Sequence, residues 1–529
     1  MIPRKTGHGR NQLWEDGMGE SENAAIYFVD RHLDEGRADK VAFREADGDK
    51  RSLTYGQLAE EASRFAGALY RHGVRREERI AMIVRDQIEF PVVFWGSLKA
   101  GAVPVPLNTL LSSSVYEDIL NDSRASILVV SKQLWDVVKP AVQGNRFLRA
   151  ILVIGDAPEG TESYSDFVKD APLEETVEAH GDELAFWLYS SGSTGTPKGV
   201  RHVHSSLKAT VDTFGQQVLG IREDDTVYSV AKMFFAYGMG NAMSFPMAVG
   251  ATTVLYGGRP TPAAAFEIMS TEKPTVFCAV PTLYAALVAE QEKRGGKPEH
   301  MIRICTSAGE ALPREVGERW EKLWGAEIVD GVGSTEMLHI FLSNRPGDCI
   351  YGTSGLAVPG YEVRLVDEHD EDVGEGEVGE LLVRGPSSAD GYWNRRNKSM
   401  STFQGHWTRT GDKYERTPEG RFIYCGRTDD MFKVSGIWVS PFEVEQALVE
   451  HPGVLEAAVV PKADDKGLEK PKAYVVLKSG TNAEDVGDLK DFVKQKIGMW
   501  KYPRWVEIVE DLPKTATGKI QRFKLRESA

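Results

Sequence analysis

Cysteine is scarce in this chain: four residues in 529, Cys278, Cys305, Cys349 and Cys425, far apart and without a CxxC pair. Such usage fits a reducing compartment and offers no zinc spacing. Basic charge is short as well. Lys and Arg number 63 against 78 Asp and Glu, a net charge of −15, and no basic run offsets it. A nucleic-acid partner is therefore not expected, and a site for an anionic ligand must be made locally positive by a few cations. The opening residues, MIPRKTGHGRNQLWEDG, have no apolar core of the signal-peptide kind, so a cytoplasmic location is expected. One charge-free run, Met233 to Gly258, is 26 residues long, enough to span a bilayer. It contains Asn241, Pro246 and five glycines, which predicts the wall of a buried cleft and no membrane association.

Three familiar signatures are missing too. A P-loop needs Gly, four residues, then Gly-Lys-Ser/Thr, but here Lys198 precedes Gly199 and Val200 follows. A nucleophile elbow needs glycines two residues either side of a serine, and Gly192-Ser193-Thr194-Gly195 is one residue short. The pairs Gly238/Gly240 and Gly331/Gly333 start like a dinucleotide fingerprint, yet Met243 and Glu336 hold the third small position.

What the chain does have is the run Tyr189 to Val200, YSSGSTGTPKGV. Eight of the ten residues from Ser190 to Gly199 are Ser, Thr or Gly. Hydroxyls, bare amides and one ammonium in a flexible loop make a wrap for phosphate oxygens. A solvated linker has similar composition. The Pro-Lys-Gly ending and the apolar run Leu184 to Leu188, which reads as a strand, favour the wrap.

A chain of 529 residues exceeds one ordinary domain. Thr54 to Gln57 reads as a capping box, and Leu58, Ala62, Phe65 and Leu69 follow at helical spacing. Ile80 to Val84, Val103 to Pro106 and Ile127 to Val130 read as strands around a helix from Ile88 to Lys99. This alternation predicts an α/β fold, a large N-terminal domain of layered and largely parallel sheets and helices. Asp367 to Gly379, DEHDEDVGEGEVG, reads as a solvated turn, since its carboxylates lack calcium-loop spacing. Leu455 to Val460 and Ala473 to Leu477 read as strands and Asp488 to Ile497 as a helix. These predict a small α+β C-terminal domain over 429–529, leaving 1–428 to the larger one. His202 and His204 have no third metal ligand nearby and read as loop residues.

The run YSSGSTGTPKGV resembles the AMP-binding motif of the adenylate-forming enzymes: acyl-CoA synthetases, luciferases and the adenylation domains of peptide synthetases. Companions follow in the expected order. Gly331-Val-Gly-Ser-Thr-Glu336 resembles the second nucleotide motif, Thr410-Gly411-Asp412 the ribose motif, Gly426-Arg427-Thr428-Asp429-Asp430 the hinge motif, and PKTATGK ending at Lys519 the C-terminal lysine motif. KMFFAYGMGNAMSFP, VGSTEMLHIFLSN and GRTDDMFKVSGIWVSPFEVE look like benzoate–CoA and 4-hydroxybenzoate–CoA ligases.

The resemblance implies ATP, Mg²⁺ and coenzyme A as reaction partners of a small aromatic acid, in a monomer or homodimer whose C-terminal domain is mobile. Ser190, Ser191, Ser193, Thr194, Thr196 and Lys198 would wrap the β,γ-phosphates. Thr335 would hold the α-phosphate and Glu336 the Mg²⁺, a hard ion content with one carboxylate plus phosphate and water. Asp412 and Arg427 would take the ribose, and Asp330 and Glu310 the adenine. Lys519 would bridge the acid and the α-phosphate, Asp429 would be the hinge, and Lys433 and Gly436 would line the thiol channel. The acid pocket is expected from Phe235, Ala236, Tyr237, Gly238, Ser307, Ala308, Gly309, His339 and Ile340. Amino-acid adenylation domains carry an aspartate near Ala236, so an α-amino acid is not the expected substrate. A ligase for another aryl, cyclic or medium-chain acid and a luciferase-like oxygenase remain as alternatives. A decayed, non-enzymatic relative would be expected to have lost Lys519, Glu336 or Asp412.

Overall fold

The computed structural model describes residues 22–191, 197–428, 430–434, 437–465, 468–478, 480–484, 486–498, 501–514 and 520–527. Its centre is a nine-stranded sheet. Six strands run parallel in the order Ile328–Gly333, Ile304–Ser307, Val276–Ala279, Thr226–Ser229, Thr252–Leu255 and Val41–Glu45. Antiparallel strands close both edges, Ser52–Thr54 on one side and Ile340–Ser343 with Leu356–Ala357 on the other. A second, five-stranded sheet is wholly parallel and centres on Arg79–Ile83 and Ile127–Ser131. Both read in the sequence as short, nearly continuous apolar runs because helices cover both faces of such sheets.

Between the sheets lie Tyr55–Arg71 and Glu89–Lys99. The capping box is present: Thr54 Oγ1 accepts from Gln57 N at 3.1 Å, and Gln57 Oε1 accepts from Thr54 N at 2.9 Å. Every residue of Glu89–Lys99 is buried, as expected of a helix with apolar side chains all round. Its terminal lysine is satisfied there, Lys99 Nζ donating to Asp30 Oδ1 at 2.5 Å and Thr176 Oγ1 at 2.6 Å.

The expectation of largely parallel sheets covers only these two. Glu362–Val366, Val378–Arg384, Phe403–Gln404, Trp407–Arg416 and Phe422–Arg427 form a five-stranded antiparallel sheet. Leu184–Ser191, Pro197–Val203 and Gly391–Tyr392 form a three-stranded one. The acidic run between Val366 and Val378 is an exposed connection in which Asp367 Oδ1 accepts from the amides of His369 and Glu371. Toward the C-terminus, Val454–Ala463, Glu469–Leu477 and Trp505–Ile508 make a separate sheet, packed on Pro441–Val449 and Leu489–Ile497 around its own core of Val444, Leu448, Val459, Val475 and Val493.

The charge-free run is mostly buried and is broken into short elements. It divides into a helical turn Ala236–Met239, a π-turn Gly240–Ser244, the helix Phe245–Val249 and the strand Thr252–Leu255. No helix among the described residues is long and apolar enough to cross a membrane.

The central sheet is braced by an ion pair whose carboxylate is buried and whose guanidinium is half-buried. Asp225, just before Thr226–Ser229, accepts from Arg303 Nε at 2.9 Å, Arg303 Nη2 at 2.5 Å and Thr275 Oγ1 at 2.7 Å. Removing one partner leaves an uncompensated buried charge. Arg303→Met should cost about 3 kcal/mol of stability, read as a lower urea midpoint by tryptophan fluorescence; an unchanged midpoint would contradict this.

Candidate active site

The parallel strands of the central sheet end on one side of the molecule, and a crevice outside the carboxyl ends of such strands is where open α/β folds bind ligands. Thr226–Ser229 leads into Phe235, Ala236 and Tyr237. Ile304–Ser307 ends on Ser307, followed by Ala308 and Gly309. Ile328–Gly333 carries Asp330 and leads into Thr335 and Glu336. Three sequence-distant groups of expected site residues thus meet at one sheet edge.

The turn from Gly333 to Ile340 is tight. A Cβ on Gly333 would stand 2.5 Å from the His339 carbonyl oxygen. Leu338 has φ +63°, a costly left-handed conformation for a branched aliphatic residue. Ser334 Oγ accepts from Met337 N at 3.1 Å, and the Thr335 carbonyl accepts from Leu338 N at 3.2 Å. The turn therefore presents Thr335 and Glu336 on one arm and His339 on the other.

His339 is the hub of an aromatic wall. Its ring lies 4.6 Å from Phe245, 5.1 Å from Phe214 and 5.6 Å from Tyr237. Nε2 is 3.3 Å from the Tyr237 carbonyl; a carbonyl only accepts, so that nitrogen carries the proton. Burial lowers the His339 pKa to about 3, opposed by that hydrogen bond, so the ring is neutral near pH 7. Nδ1 is buried without a partner among the described residues. Gly240 lies against the ring so closely that a Cβ there would overlap it. The Tyr237 hydroxyl lies deep, donating to the Thr306 carbonyl at 2.8 Å with the Ala279 carbonyl at 3.3 Å, while its ring is only half-buried. Its single proton is committed to main chain, so toward a ligand this phenol can only accept. Ala308 and Ile340 are buried beside the wall, and Gly309 is exposed at φ +99°.

Asp330 is the most perturbed carboxyl here. Burial pushes its pKa up to about 8, opposed by Ser307 and by the amides of Leu312 and Gly331. The Ser307 hydroxyl is near enough to act on it electrostatically without closing a hydrogen bond: Ser307 Oγ and Asp330 Oδ1 are both buried and unpartnered among the described residues. Orphaned polar atoms at a crevice mark positions a ligand can satisfy. Glu310 is half-buried beside them.

The phosphate run departs from a free loop. Ser190, Ser191 and Pro197 to Gly199 belong to paired antiparallel strands, Ser190 opposite Lys198. Ser190 Oγ is buried without a partner among the described residues. Lys198 Nζ lies 4.6 Å from the centre of the Tyr392 ring, and burial lowers its pKa against the raising effect of Glu336. Tyr392 Oη donates to Glu336 Oε1 at 2.7 Å. Lys198 and Glu336, unrelated in sequence, are thus joined through Tyr392, which the sequence did not single out. A single carboxylate is enough for Mg²⁺, which takes few protein ligands plus phosphate and water. Arg427 pairs with Asp412 across adjacent strands, Nη1 to Oδ1 2.9 Å, and adds to the field on Lys198. Ser193, Thr194, Thr196, Asp429, Gly436 and Lys519 lie outside the described residues, as do the side chains of Ser191 and Lys433.

Two further corrections concern basic residues. His202 and His204 are not loop residues. His202 is buried in Pro197–Val203, where Nε2 lies 2.9 Å from the Thr335 carbonyl; His204 is buried at the start of the next helix and accepts from Ala24 N at 3.1 Å. Lys232 was also unremarked. Half-buried, it donates to the Tyr256 carbonyl and stands 4.0 Å from Asp86 Oδ2, while Asp86 Oδ1 accepts from Met233 N at 3.2 Å. This pair anchors the segment that carries Tyr237. Apart from the charge-free run, which holds Phe245, no local signal marks these residues.

Asp330 yields a pH prediction. Its folded pKa of about 8 lies above the ordinary 3.8, so the folded state keeps a proton that the unfolded chain has released. The associated stability is present in full below the ordinary value and declines as pH rises to about 8. Asp330→Asn should raise the thermal midpoint more at about pH 8 than at about pH 5; an equal shift at both would contradict the assignment.

Comparison with known proteins identifies the family. The AMP-binding enzyme family matches residues 30–393, and the AMP-binding enzyme C-terminal domain matches residues 443–519. A 4-hydroxybenzoate–CoA/benzoate–CoA ligase of Rhodopseudomonas palustris is 50% identical over 96% of this chain and 94% of its own. A benzoate–CoA ligase of Thauera aromatica is 50% identical over 96% of each. The crystal structure of a benzoate CoA ligase from Burkholderia xenovorans LB400 superposes with a TM-score of 0.88 at 48% identity, covering 95% of this chain and 99% of that one. The chain belongs to the AMP-binding enzyme family of adenylate-forming enzymes.

Proposed function

We propose that this protein activates benzoate or 4-hydroxybenzoate with ATP and transfers the acyl group to coenzyme A, yielding the aryl-CoA thioester, AMP and pyrophosphate. The carrying observation is that one turn bears both halves of the chemistry: Thr335 and Glu336 stand at one end and His339, in its aromatic wall, at the other. An acid lying along Tyr237 and His339 would present its carboxylate to a phosphate held by Thr335. No Asp or Glu occurs from Met233 to Gly258, so the wall offers no partner for a substrate ammonium.

In the first step a carboxylate oxygen attacks the α-phosphorus and pyrophosphate leaves. The substrate is the nucleophile, so the protein supplies position and charge. Lys198, with Ser190, holds the β,γ-phosphates, Thr335 the α-phosphate, Asp412 and Arg427 the ribose, and Asp330 the adenine. Glu336 would hold Mg²⁺, which when bound neutralises the leaving pyrophosphate. Tyr392 keeps that carboxylate oriented. Lys519 would bridge the acid and the α-phosphate. In the second step the thiolate of CoA attacks the acyl carbon and the carbon–oxygen bond to AMP breaks. On this reading residues 429–529 are the unit that turns about Asp429, withdrawing Lys519 and bringing Lys433 and Gly436 to the thiol channel.

The neutral, largely apolar wall distinguishes weakly between a bare and a hydroxylated ring, on the order of 10²-fold at most. The test is a panel of benzoate, hydroxybenzoates, aminobenzoates, cyclohexanecarboxylate and medium-chain fatty acids, scored by ATP- and CoA-dependent AMP release. Benzoate and 4-hydroxybenzoate should lead, within about 10²-fold of each other. Preference for a fatty acid, or oxidation of the adenylate without need for CoA, would overturn the proposal.

A further inference from the structure

The strand Pro197–Val203 pairs with Leu184–Ser191 without irregularity from Ser190↔Lys198 to Phe186↔His202. Lys198 and His202 are four residues apart, so they project from the same face. Lys198 is placed toward Glu336 and Tyr392. His202 is fully buried, with Nε2 2.9 Å from the carbonyl oxygen of Thr335. The carbonyl only accepts, so the imidazole proton sits on Nε2. The ring stacks on Phe186 at 5.1 Å and 17°, which fixes its plane. The same carbonyl closes the tight turn by accepting from Leu338 N.

As a packing residue histidine is a poor choice here. Nδ1 is buried without a partner among the described residues, a cost that a carbocyclic or aliphatic side chain would not carry. Burial lowers the His202 pKa to about 4, opposed by the bond to Thr335, so near pH 7 the ring is neutral and donates through one nitrogen. What a hydrocarbon could not provide is that single donor aimed at the turn.

We propose that His202 is a positioning residue for adenylate formation: its Nε2–H holds the Thr335 carbonyl and thereby ties the strand that carries Lys198 to the turn that carries Thr335 and Glu336. This rests on the reading of Thr335 as the α-phosphate residue. The β,γ grip and the α-phosphate residue come from different sheets, and in-line attack requires them in fixed register. A displacement of about 1 Å far from the reacting atoms is enough to cost on the order of 10²-fold in rate.

Glutamine and asparagine separate this role from simple packing. A Gln amide reaches the place of Nε2; an Asn amide reaches only that of Nδ1. His202→Gln, His202→Asn and His202→Leu are compared by benzoate-dependent ATP–pyrophosphate exchange, by thioester formation from supplied benzoyl adenylate, and by thermal midpoint, with Thr335→Ala as control. The expected result is exchange by His202→Gln close to the parent, and a fall in kcat on the order of 10²-fold for Asn and Leu with the KM for benzoate little changed and the thioester step largely spared. Equal impairment of Gln and Asn, parent-like exchange by Leu, or a drop in thermal midpoint without loss of kcat would overturn the proposal. If Thr335→Ala loses exchange while the His202 variants keep it, this proposal fails alone. If Thr335→Ala keeps exchange, the reading of Thr335 fails and this proposal with it.

Discussion

The turn between Gly333 and Ile340 is the constraint on which the site depends. It occurs where the parallel part of the central sheet stops and the chain reverses into the antiparallel strand Ile340–Ser343. Reversal over so few residues forces the left-handed backbone of Leu338 and leaves no room for a side chain at Gly333. The strain is held by hydrogen bonds to Ser334 and Thr335 and by His202 from a neighbouring sheet. In return, the Thr335 hydroxyl, the Glu336 carboxylate and the aromatic-walled His339 imidazole stand within a few residues of chain. A looser connection would leave the acid and the nucleotide without a common reference.

Charge is used sparingly around this turn. The protein as a whole carries −15, yet the proposed nucleotide side collects Lys198 and Arg427, each near a carboxylate, Glu336 or Asp412. Elsewhere burial suppresses charge: His339 in the aromatic wall is held neutral, and Asp330, at the adenine end of the proposed site, is pushed well above the ordinary carboxylate range. On the proposed reading, a neutral aromatic wall beside a cationic phosphate grip suits an aromatic acid, apolar except for its carboxylate. The contact between half-buried Lys232 and buried Asp86 secures the segment that leads into the same wall.

Much of this was legible in sequence where the cause is local. The capping box at Thr54 and the apolar strands of the two parallel sheets depend on residues a few positions apart, and they form where the pattern puts them. Motif residues such as Lys198, Thr335, Glu336, Asp412 and Arg427 were named because the runs that hold them resemble the motifs of the adenylate-forming enzymes. The antiparallel sheet around Trp407–Arg416 was missed because its strands mix charged and aromatic residues, with no clean alternation. His202 and Tyr392 were missed or misread for another reason. Their partners lie 133 and 56 residues away in the chain, and nothing within a short window distinguishes a histidine that braces a turn from one in a surface loop. Likewise the Tyr237 hydroxyl could be named from sequence, but only the register of Val276–Ala279 with Ile304–Ser307 turns it toward main chain.

The central claim is that a carboxylate oxygen attacks the α-phosphorus and stays with AMP when the thioester forms. Turnover of benzoate labelled with ¹⁸O in both carboxyl oxygens, with ATP and CoA, tests it directly by mass spectrometry of the products. The account predicts one labelled oxygen in each AMP and none in pyrophosphate. AMP without label, or label in pyrophosphate or free phosphate, would contradict it.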